Sequence, residues 1–398
     1  MSKVAITGMG IISAIGNSVE ENLNALLNGV SGISTIENID TIHSNSIKVG
    51  EIKMTNLELS RLLDLPADNN FSRTALLGLF AAKQAVKNAG IENRSEHKTG
   101  LISATSVGGM DMTERFFYDF IENEENRRYI LTNDAGDSSH KIADNLGING
   151  IVTTISTACS SSANAIMLGA RLIKSKQLDR VIVGGTDALA KFTINGFKTL
   201  MILSDTFNTP FDNDRKGLNL GEAAAYLVLE SDEIVQKEGK KVLAYVSGYG
   251  NANDAFHQTA SSENGEGAFL AMEKALKVAH LNPEDIDYIN AHGTATQNND
   301  LSEGRAIESV FGKNVPDFSS TKPFTGHTLA AAAAIEAVYS ILALQKNIIF
   351  PNLNFKTKME EFDLVPVTEL KEKNIENVLS NSFGFGGNCS TVIFSKSK

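Results

Sequence analysis

Residues 151–174, IVTTISTACSSSANAIMLGARLIK, decide how this chain folds. The run opens with five β-branched residues, Ile151 to Ile155, the composition of a strand. It closes on residues 160–174, where Ala163, Ala165, Ile166, Leu168, Gly169, Ala170 and Ile173 leave no broad polar face, so a buried helix is predicted there. Cys159 stands at the elbow between the two. The N–H groups that open a helix lack intrahelical partners and carry partial positive charge. They are expected to stabilise a Cys159 thiolate, lowering its pKa, and to hold the oxyanion of a thioester under attack. A buried cysteine is ordinarily structural; the strand–turn–helix setting marks this one as a nucleophile.

Working outward, the pattern alternates short strands with helices, an α/β architecture. Upstream, residues 4–7 read as a strand and 18–27 as a helix with Ser18 as cap and Glu21 in the capping-box position. Residues 72–89 form a helical pattern stopped by Gly90, and 100–104 a strand that enters the glycine-containing loop 106–110. Downstream, 180–184 and 225–229 are strands. Beyond about residue 245 the pattern restarts, with a strand at 242–250, a helix at 267–279 and strands at 286–291 and 318–320. The last leads through a loop to His327 and then to TLAAAAAIEAVYSILAL, residues 328–344. Two small-residue helices, each preceded by a reactive side chain, indicate a duplicated unit. The halves are 1–245, carrying Cys159, and 246–398, carrying both candidate histidines, with no linker between them.

Bulk properties narrow the function. A net charge of −11 over 398 residues argues against nucleic-acid binding. Two cysteines, Cys159 and Cys389, make no disulfide framework and have no zinc-ligand spacing, which suits a reducing compartment. From Lys3 onward, KVAITGMGIISAIG reads as a strand entering a loop rather than a cleavable signal. The apolar stretch 329–344 is short for a bilayer and carries Glu336. A cytoplasmic protein without a membrane partner is expected. Gly8-Met9-Gly10 imitates a dinucleotide fingerprint, but position 13 is Ser and no adequate acidic residue follows a second strand.

Partners for Cys159 lie in the second half. NAHGTAT (290–296) places His292 in a loop after a strand, and Asp300 with Glu303 has capping-box spacing for the next helix. SSTKPFTGH (319–327) puts Lys322 and His327 in one loop. His43, His97, His140, His257 and His280 sit in polar contexts. A Cys–His hydrolase needs one histidine plus an Asn or Asp orienter. Two histidines in equivalent loops instead suit an enolate, each donating Nε2–H to its oxygen. SNSFGFGGN (380–388) adds a glycine-rich loop with Phe385 at its tip, suited to gating a pocket.

These residues resemble the β-ketoacyl-acyl-carrier-protein synthases, condensing enzymes of the thiolase-like superfamily. The likeness rests on TACSSS, PFDNDRKGLNLGEAAA, NAHGTAT, STKPFTGH and NSFGFGG in the family's order, and it runs from Lys3 to about Phe394. It implies a five-layered α/β/α/β/α fold of two duplicated halves. It implies Cys159 as acyl acceptor, an oxyanion hole from the N–H groups of Cys159 and Phe385, and decarboxylation driven by His292 and His327. Lys322 would organise the second histidine's loop, paired with Glu336. Thr294 and Thr296 resemble contacts to phosphopantetheine, and Val107, Met110 and Phe197 a lining of the acyl pocket, with Phe385 its gate. Asn290, Glu336, Ser380 and Asn381 match a structural monovalent cation site of some members; no other cofactor is implied. The implied partners are an acidic acyl carrier protein, met by Arg61, Arg127, Arg128 and Lys198, and a second subunit forming a homodimer or a heterodimer with a related synthase-like chain. Departures are Ala223 to Ala225 and Ala330 to Ala334 where glycines are common, and Asn388-Cys389 after the gate. RKGLNLGEAAA and CSSSANAI look closer to polyene or aryl-polyene pathway enzymes. Rival readings are a silent chain-length subunit, which would lack the nucleophile, and a coenzyme A thiolase, which would need Cys389 as a second reactive thiol.

Overall fold

The computed structural model describes residues 4–92 and 97–396; Lys3 lies outside them. Ten strands form one sheet: β1 (Val4–Ser13), β2 (Thr99–Ala104), β3 (Val152–Ile155), β4 (Arg180–Asp187), β5 (Ala223–Ser231), β6 (Ala244–Asn253), β7 (Tyr288–Asn290), β8 (Asp317–Ser319), β9 (Asn377–Gly384) and β10 (Asn388–Ser395). Nine helices position the site: α1 (Val19–Leu27), α2 (Arg73–Asn88), α3 (Met110–Phe116), α4 (Ala135–Leu146), α5 (Ser161–Lys174), α6 (Lys191–Thr199), α7 (Glu266–Ala279), α8 (Gln297–Phe311) and α9 (Ala332–Lys346).

The strand order, β3-β2-β4-β5-β1-β6-β10-β9-β7-β8, is a palindrome of two five-strand units. In each unit the outer pairings are parallel (β2 with β3 and β4; β7 with β8 and β9) and the inner ones antiparallel (β1 with β5, β4 with β5; β6 with β10, β9 with β10). The units join where Ala5 meets Tyr245 and Ile6 meets Ala244. The expected boundary at 245/246 therefore falls inside β6, and the chain changes halves in the segment just before it.

Glycines repeat the duplication in detail. A Cβ on Gly8 or Gly10 of β1 would lie 2.4 and 2.2 Å from the carbonyl oxygens of Ala85 and Ala81 on α2. On Gly248 and Gly250 of β6 it would lie 2.3 and 2.1 Å from those of Ala275 and Ala271 on α7. The glycine pair that imitated a nucleotide motif is thus a close helix–strand seat, built twice.

Strand alternation separates three cores. Ala223, Ala225, Leu227 and Leu229 of β5 face a central core shared with α5 and α9, while Ala224, Tyr226 and Val228 face an outer core with α2 and α4. A third core joins the other half to α7 and α8. The result is five layers, α2 and α4, then a half-sheet, then α5 and α9, then the second half-sheet, then α7 and α8. Every residue from Ala332 to Leu344 is buried, which explains a helix apolar all round. With the 3₁₀ turn before it, Leu329–Lys346 is, among the described residues, the one helix long and apolar enough to cross a bilayer, and 89% of it is buried in this protein's interior. At α1, Ser18 caps Glu21 as the pattern predicts, but the Glu21 carboxylate accepts from the N–H of Asn17 rather than that of Ser18.

Candidate active site

Between Ile155 and Ser161 the chain must reverse from strand to helix, and Ala158 takes a left-handed φ of +53° to do so. That turn sets Cys159 at the inner end of α5, where the backbone N–H groups of Phe385 and Cys159 itself both reach the sulfur. Burial pushes the thiol up to about 12, against the opposing charge of Lys322 and these two N–H groups. The expected lowering is overturned: removing the sulfur from water outweighs the helix start. Cys159 rests as a thiol.

His327 Nε2 lies 3.0 Å from Cys159 Sγ, and the His292 ring stands edge-on to that of His327 with centroids 5.3 Å apart. Lys322 Nζ donates to His292 Nδ1 (3.3 Å), to the His292 carbonyl (2.5 Å) and to Glu336 Oε1 (2.5 Å). Lys322 thus organises His292, not the His327 loop that contains it. An ammonium can only donate, so Nδ1 of His292 accepts and its proton sits on Nε2. His327 Nδ1 has no partner among the described residues, and a buried orphan N–H is costlier than an orphan acceptor. Its proton therefore also belongs on Nε2. Burial, with the Lys322 charge, holds both imidazoles well below the ordinary histidine range, so they are neutral.

Asp300 and Glu303 do not cap a helix. Helix α8 has already begun at Gln297, and both side chains are buried on one of its faces. Glu303 accepts from the N–H groups of His292 and Gly293, both at 2.8 Å, and from Asn381 Nδ2. Asp300 accepts from Ala295 and Phe211 N–H. Burial raises Glu303 to about 7 in spite of these donors. Capping-box spacing is ambiguous here, because a three-residue interval also places two carboxylates on one helix face. Asp187, at the end of β4, carries no local sequence signal that marks it as part of the site. Its buried carboxylate gathers Thr105 Oγ1, Ser106 N–H and Oγ, Val107 N–H and Ala330 N–H.

Two cavities meet at the sulfur. One, about 550 Å³, is lined by Cys159, His292, His327, Thr294, Thr296 and Phe385, with Arg215 and Lys216 also on its wall. The other, about 380 Å³ and mostly apolar, is lined by Cys159, Val107, Met110, Phe197, Leu329 and Phe385. Phe385 and Phe197 belong to both, and their rings stack at 5.9 Å. Cys389 lines neither; it packs in the third core, with Phe383 and Ala252.

The four candidate cation ligands do not converge. Ser382 Oγ donates to Glu336, so even-numbered residues of β9 face α9, and Asn290 pairs beside Ser380 on that face. Asn381 faces the opposite way, its amide engaged by Glu303 and Thr391. Alternation along a strand forbids a cage from both faces. Among the described residues no group of three or more His, Cys, Asp or Glu side chains is placed to hold a metal. Arg61, Arg127, Arg128 and Lys198 are all exposed and line neither cavity. Arg127 is paired with Glu124 and Arg128 with Asp68.

Residues 1–234 match the sequence profile of the beta-ketoacyl synthase N-terminal domain, and residues 243–356 that of the C-terminal domain. The chain is 34% identical to the 3-oxoacyl-[acyl-carrier-protein] synthase 2 of Staphylococcus aureus strain N315, across 99% of this chain and 98% of that one. Among solved structures, the ishigamide ketosynthase/chain length factor superposes with a TM-score of 0.93 at 31% identity, over the full length of both chains. AntDE:AntF, a type II polyketide acyl-carrier protein in complex with its ketosynthase, gives 0.88 at 27%, again over both full lengths.

Proposed function

The chain belongs to the β-ketoacyl synthase family and is an acyltransferase of the 3-oxoacyl-[acyl-carrier-protein] synthase class, and we propose that it elongates carrier-bound acyl chains through Cys159, His292 and His327. One observation carries the reading: the Cys159 sulfur, 3.0 Å from His327 Nε2, stands where a polar cavity and an apolar cavity join.

The acyl chain enters the apolar cavity past Phe385, along Val107, Met110 and Phe197. Cys159 attacks the incoming thioester, whose oxygen takes the N–H groups of Cys159 and Phe385. The thiol proton leaves on the departing carrier thiol, so the exchange balances. Malonyl-carrier protein then places its thioester oxygen between the two Nε2–H groups, with its phosphopantetheine arm along Thr294 and Thr296. Carbon dioxide departs, and the electron pair of the broken bond becomes an enolate that both imidazoles stabilise. The enolate carbon attacks the Cys159 thioester, and the released sulfur takes up a proton from solvent. Neutral histidines suit this step, because a donor is needed and no proton has to be given up.

The presence of the nucleophile in this geometry disfavours a silent chain-length subunit. The position of Cys389 in the third core, lining neither cavity, disfavours a thiolase. The acidic carrier would dock by charge, on Arg61, Arg127, Arg128 and Lys198 together with exposed Lys216 at the polar cavity. A subunit partner, a second copy or a chain-length factor as in the ishigamide pair, would cover β3, the half-exposed edge strand beside exposed Ile151. The elongation is of the fatty acid or the polyene and polyketide type.

The test is intact-protein mass spectrometry after incubation with acyl-carrier protein. The native chain gains one acyl group and Cys159→Ala gains none; persistent acylation of that variant rejects the nucleophile. Carbon dioxide release from malonyl-carrier protein falls in His292→Ala and His327→Ala, and normal release by both removes their role.

A further inference from the structure

The two N–H groups at the Cys159 sulfur come from different parts of the chain, the start of α5 and the tip of the β9–β10 hairpin. Their spacing is set by whatever joins those elements. The hairpin presses close: a Cβ on Gly384 would lie 2.6 Å from the Thr157 carbonyl oxygen and 3.2 Å from the Cys159 nitrogen. Contact alone does not fix a three-residue tip, Phe385-Gly386-Gly387, in which both glycines have φ near +80°.

One side-chain oxygen bridges the gap. Asn388 Oδ1, the first residue after the tip, accepts from Ser160 Oγ at 2.8 Å, from Asn164 Nδ2 at 3.0 Å and from Asn251 Nδ2 at 2.8 Å. Ser160 directly follows the nucleophile, Asn164 lies one turn along α5, and Asn251 belongs to β6. The donors are held in turn: Ser160 Oγ, whose one proton is shared between Asn388 Oδ1 and the Thr157 carbonyl, Asn164 Nδ2, which also donates to Thr157 Oγ1, and Asn251 Nδ2, which also donates to Ser390 Oγ. On its other side the tip is tied through Asn253 Nδ2 to the Gly386 carbonyl and through Gly386 N–H to the Gln258 carbonyl.

We infer that Asn388 is a positioning residue whose amide oxygen, held by Ser160, Asn164 and Asn251, sets the Phe385 N–H at its working distance from the Cys159 N–H. The inference rests on the proposed acyl transfer to Cys159. It follows from geometry: an acceptor drawing three donors at the base of a two-glycine tip ties the hairpin to the start of α5 and so fixes that half of the oxyanion hole. Aspartate at 388 keeps the acceptor, since all three partners donate. Leucine keeps the bulk and removes it.

The experiment measures single-turnover acylation of Cys159 against acyl-carrier protein concentration, with the melting midpoint recorded for each variant. Loss of a whole oxyanion donor costs about 10²–10³-fold in rate, so a displaced one in Asn388→Leu is expected to slow the saturating rate by about tenfold or more. Half-saturation stays put, because carrier docking is untouched, and Asn388→Asp restores the rate to within about twofold. Asn164→Ala, which removes one donor, slows the same step by a smaller factor. A folded Asn388→Leu that acylates at the native rate overturns the inference, as does an Asn388→Asp as slow as the leucine variant. If the leucine variant does not fold, a native rate in Asn164→Ala overturns it instead. A native chain that is never acylated refutes the proposed function itself, a result distinct from any difference between variants.

Discussion

Replacing Lys322 with methionine separates what that residue does for stability from what it does for chemistry. Its ammonium is buried and donates to Glu336, to the His292 carbonyl and to His292 Nδ1. In Lys322→Met the Glu336 carboxylate stays in the core with Ser382, at 3.4 Å, as its remaining hydrogen-bond donor among the described residues. Breaking a buried pair from one side costs about 3–5 kcal/mol, because an uncompensated charge remains. Unfolding entropy of about 2.1 cal/mol/K per residue gives about 0.8 kcal/mol/K for this chain, so the midpoint should fall by about 4–6 °C. Removing Glu336 as well replaces the pair by apolar side chains, which is often neutral or stabilising. Lys322→Met/Glu336→Met is therefore expected to regain most of the lost midpoint in calorimetry. Decarboxylation should not return. Without the ammonium nothing holds Nδ1 of His292 as an acceptor, and loss of one donor to the enolate oxygen costs about 10²–10³-fold. Radiolabelled carbon dioxide release from malonyl-carrier protein reads that step directly. A Lys322→Met variant with native release, or a double variant in which release recovers along with the midpoint, would refute the assignment of the Nε2 proton.

Three further outcomes are expected. Glu303 protonates as pH falls through about 7 and then holds the His292 and Gly293 N–H groups less well, so decarboxylation should decline on the acid side of neutrality; Glu303→Gln should be slow at every pH and lack that limb, and a native-like profile would remove Glu303 from the site. Gly384→Ala places a methyl 2.6 Å from the Thr157 oxygen and should displace the hairpin, slowing acylation at least tenfold in a folded protein; a rate within twofold of native would show that the tip yields without consequence. Ile151→Glu puts a charge beside the open edge of β3 and should shift sedimentation toward a single chain, whereas an unchanged profile would place the subunit contact elsewhere.

The elements around the site were legible because each has a local cause. β-Branched runs wrote the strands, small residues on every side wrote α5 and α9, and the repeat of that pattern announced the duplication. The palindromic strand order and the twin glycine seats at Gly8 with Gly10 and Gly248 with Gly250 then express that repeat in space. Where local pattern and long-range packing competed, pattern misled. Asp300 and Glu303 carry capping-box spacing, yet they lie inside α8 because Thr296 had already begun it. Asn381 matches a cation set by type, yet strand alternation turns it to the far side of the sheet.

By itself the sequence determined the identity of the reactive groups and their placement at element ends, since a thiol, two imidazoles and a lysine are fixed by residue type and by the turns that expose them. Only the tertiary structure decided their protonation and pairing. Residues 159, 292, 322 and 327 meet through contacts between the two halves of the chain, and the charge state of each depends on how much water that meeting excludes. A helix start alone predicts a thiolate; burial between the two half-sheets makes it a thiol. Desolvation is a property of the assembled layers, and no window of sequence contains it.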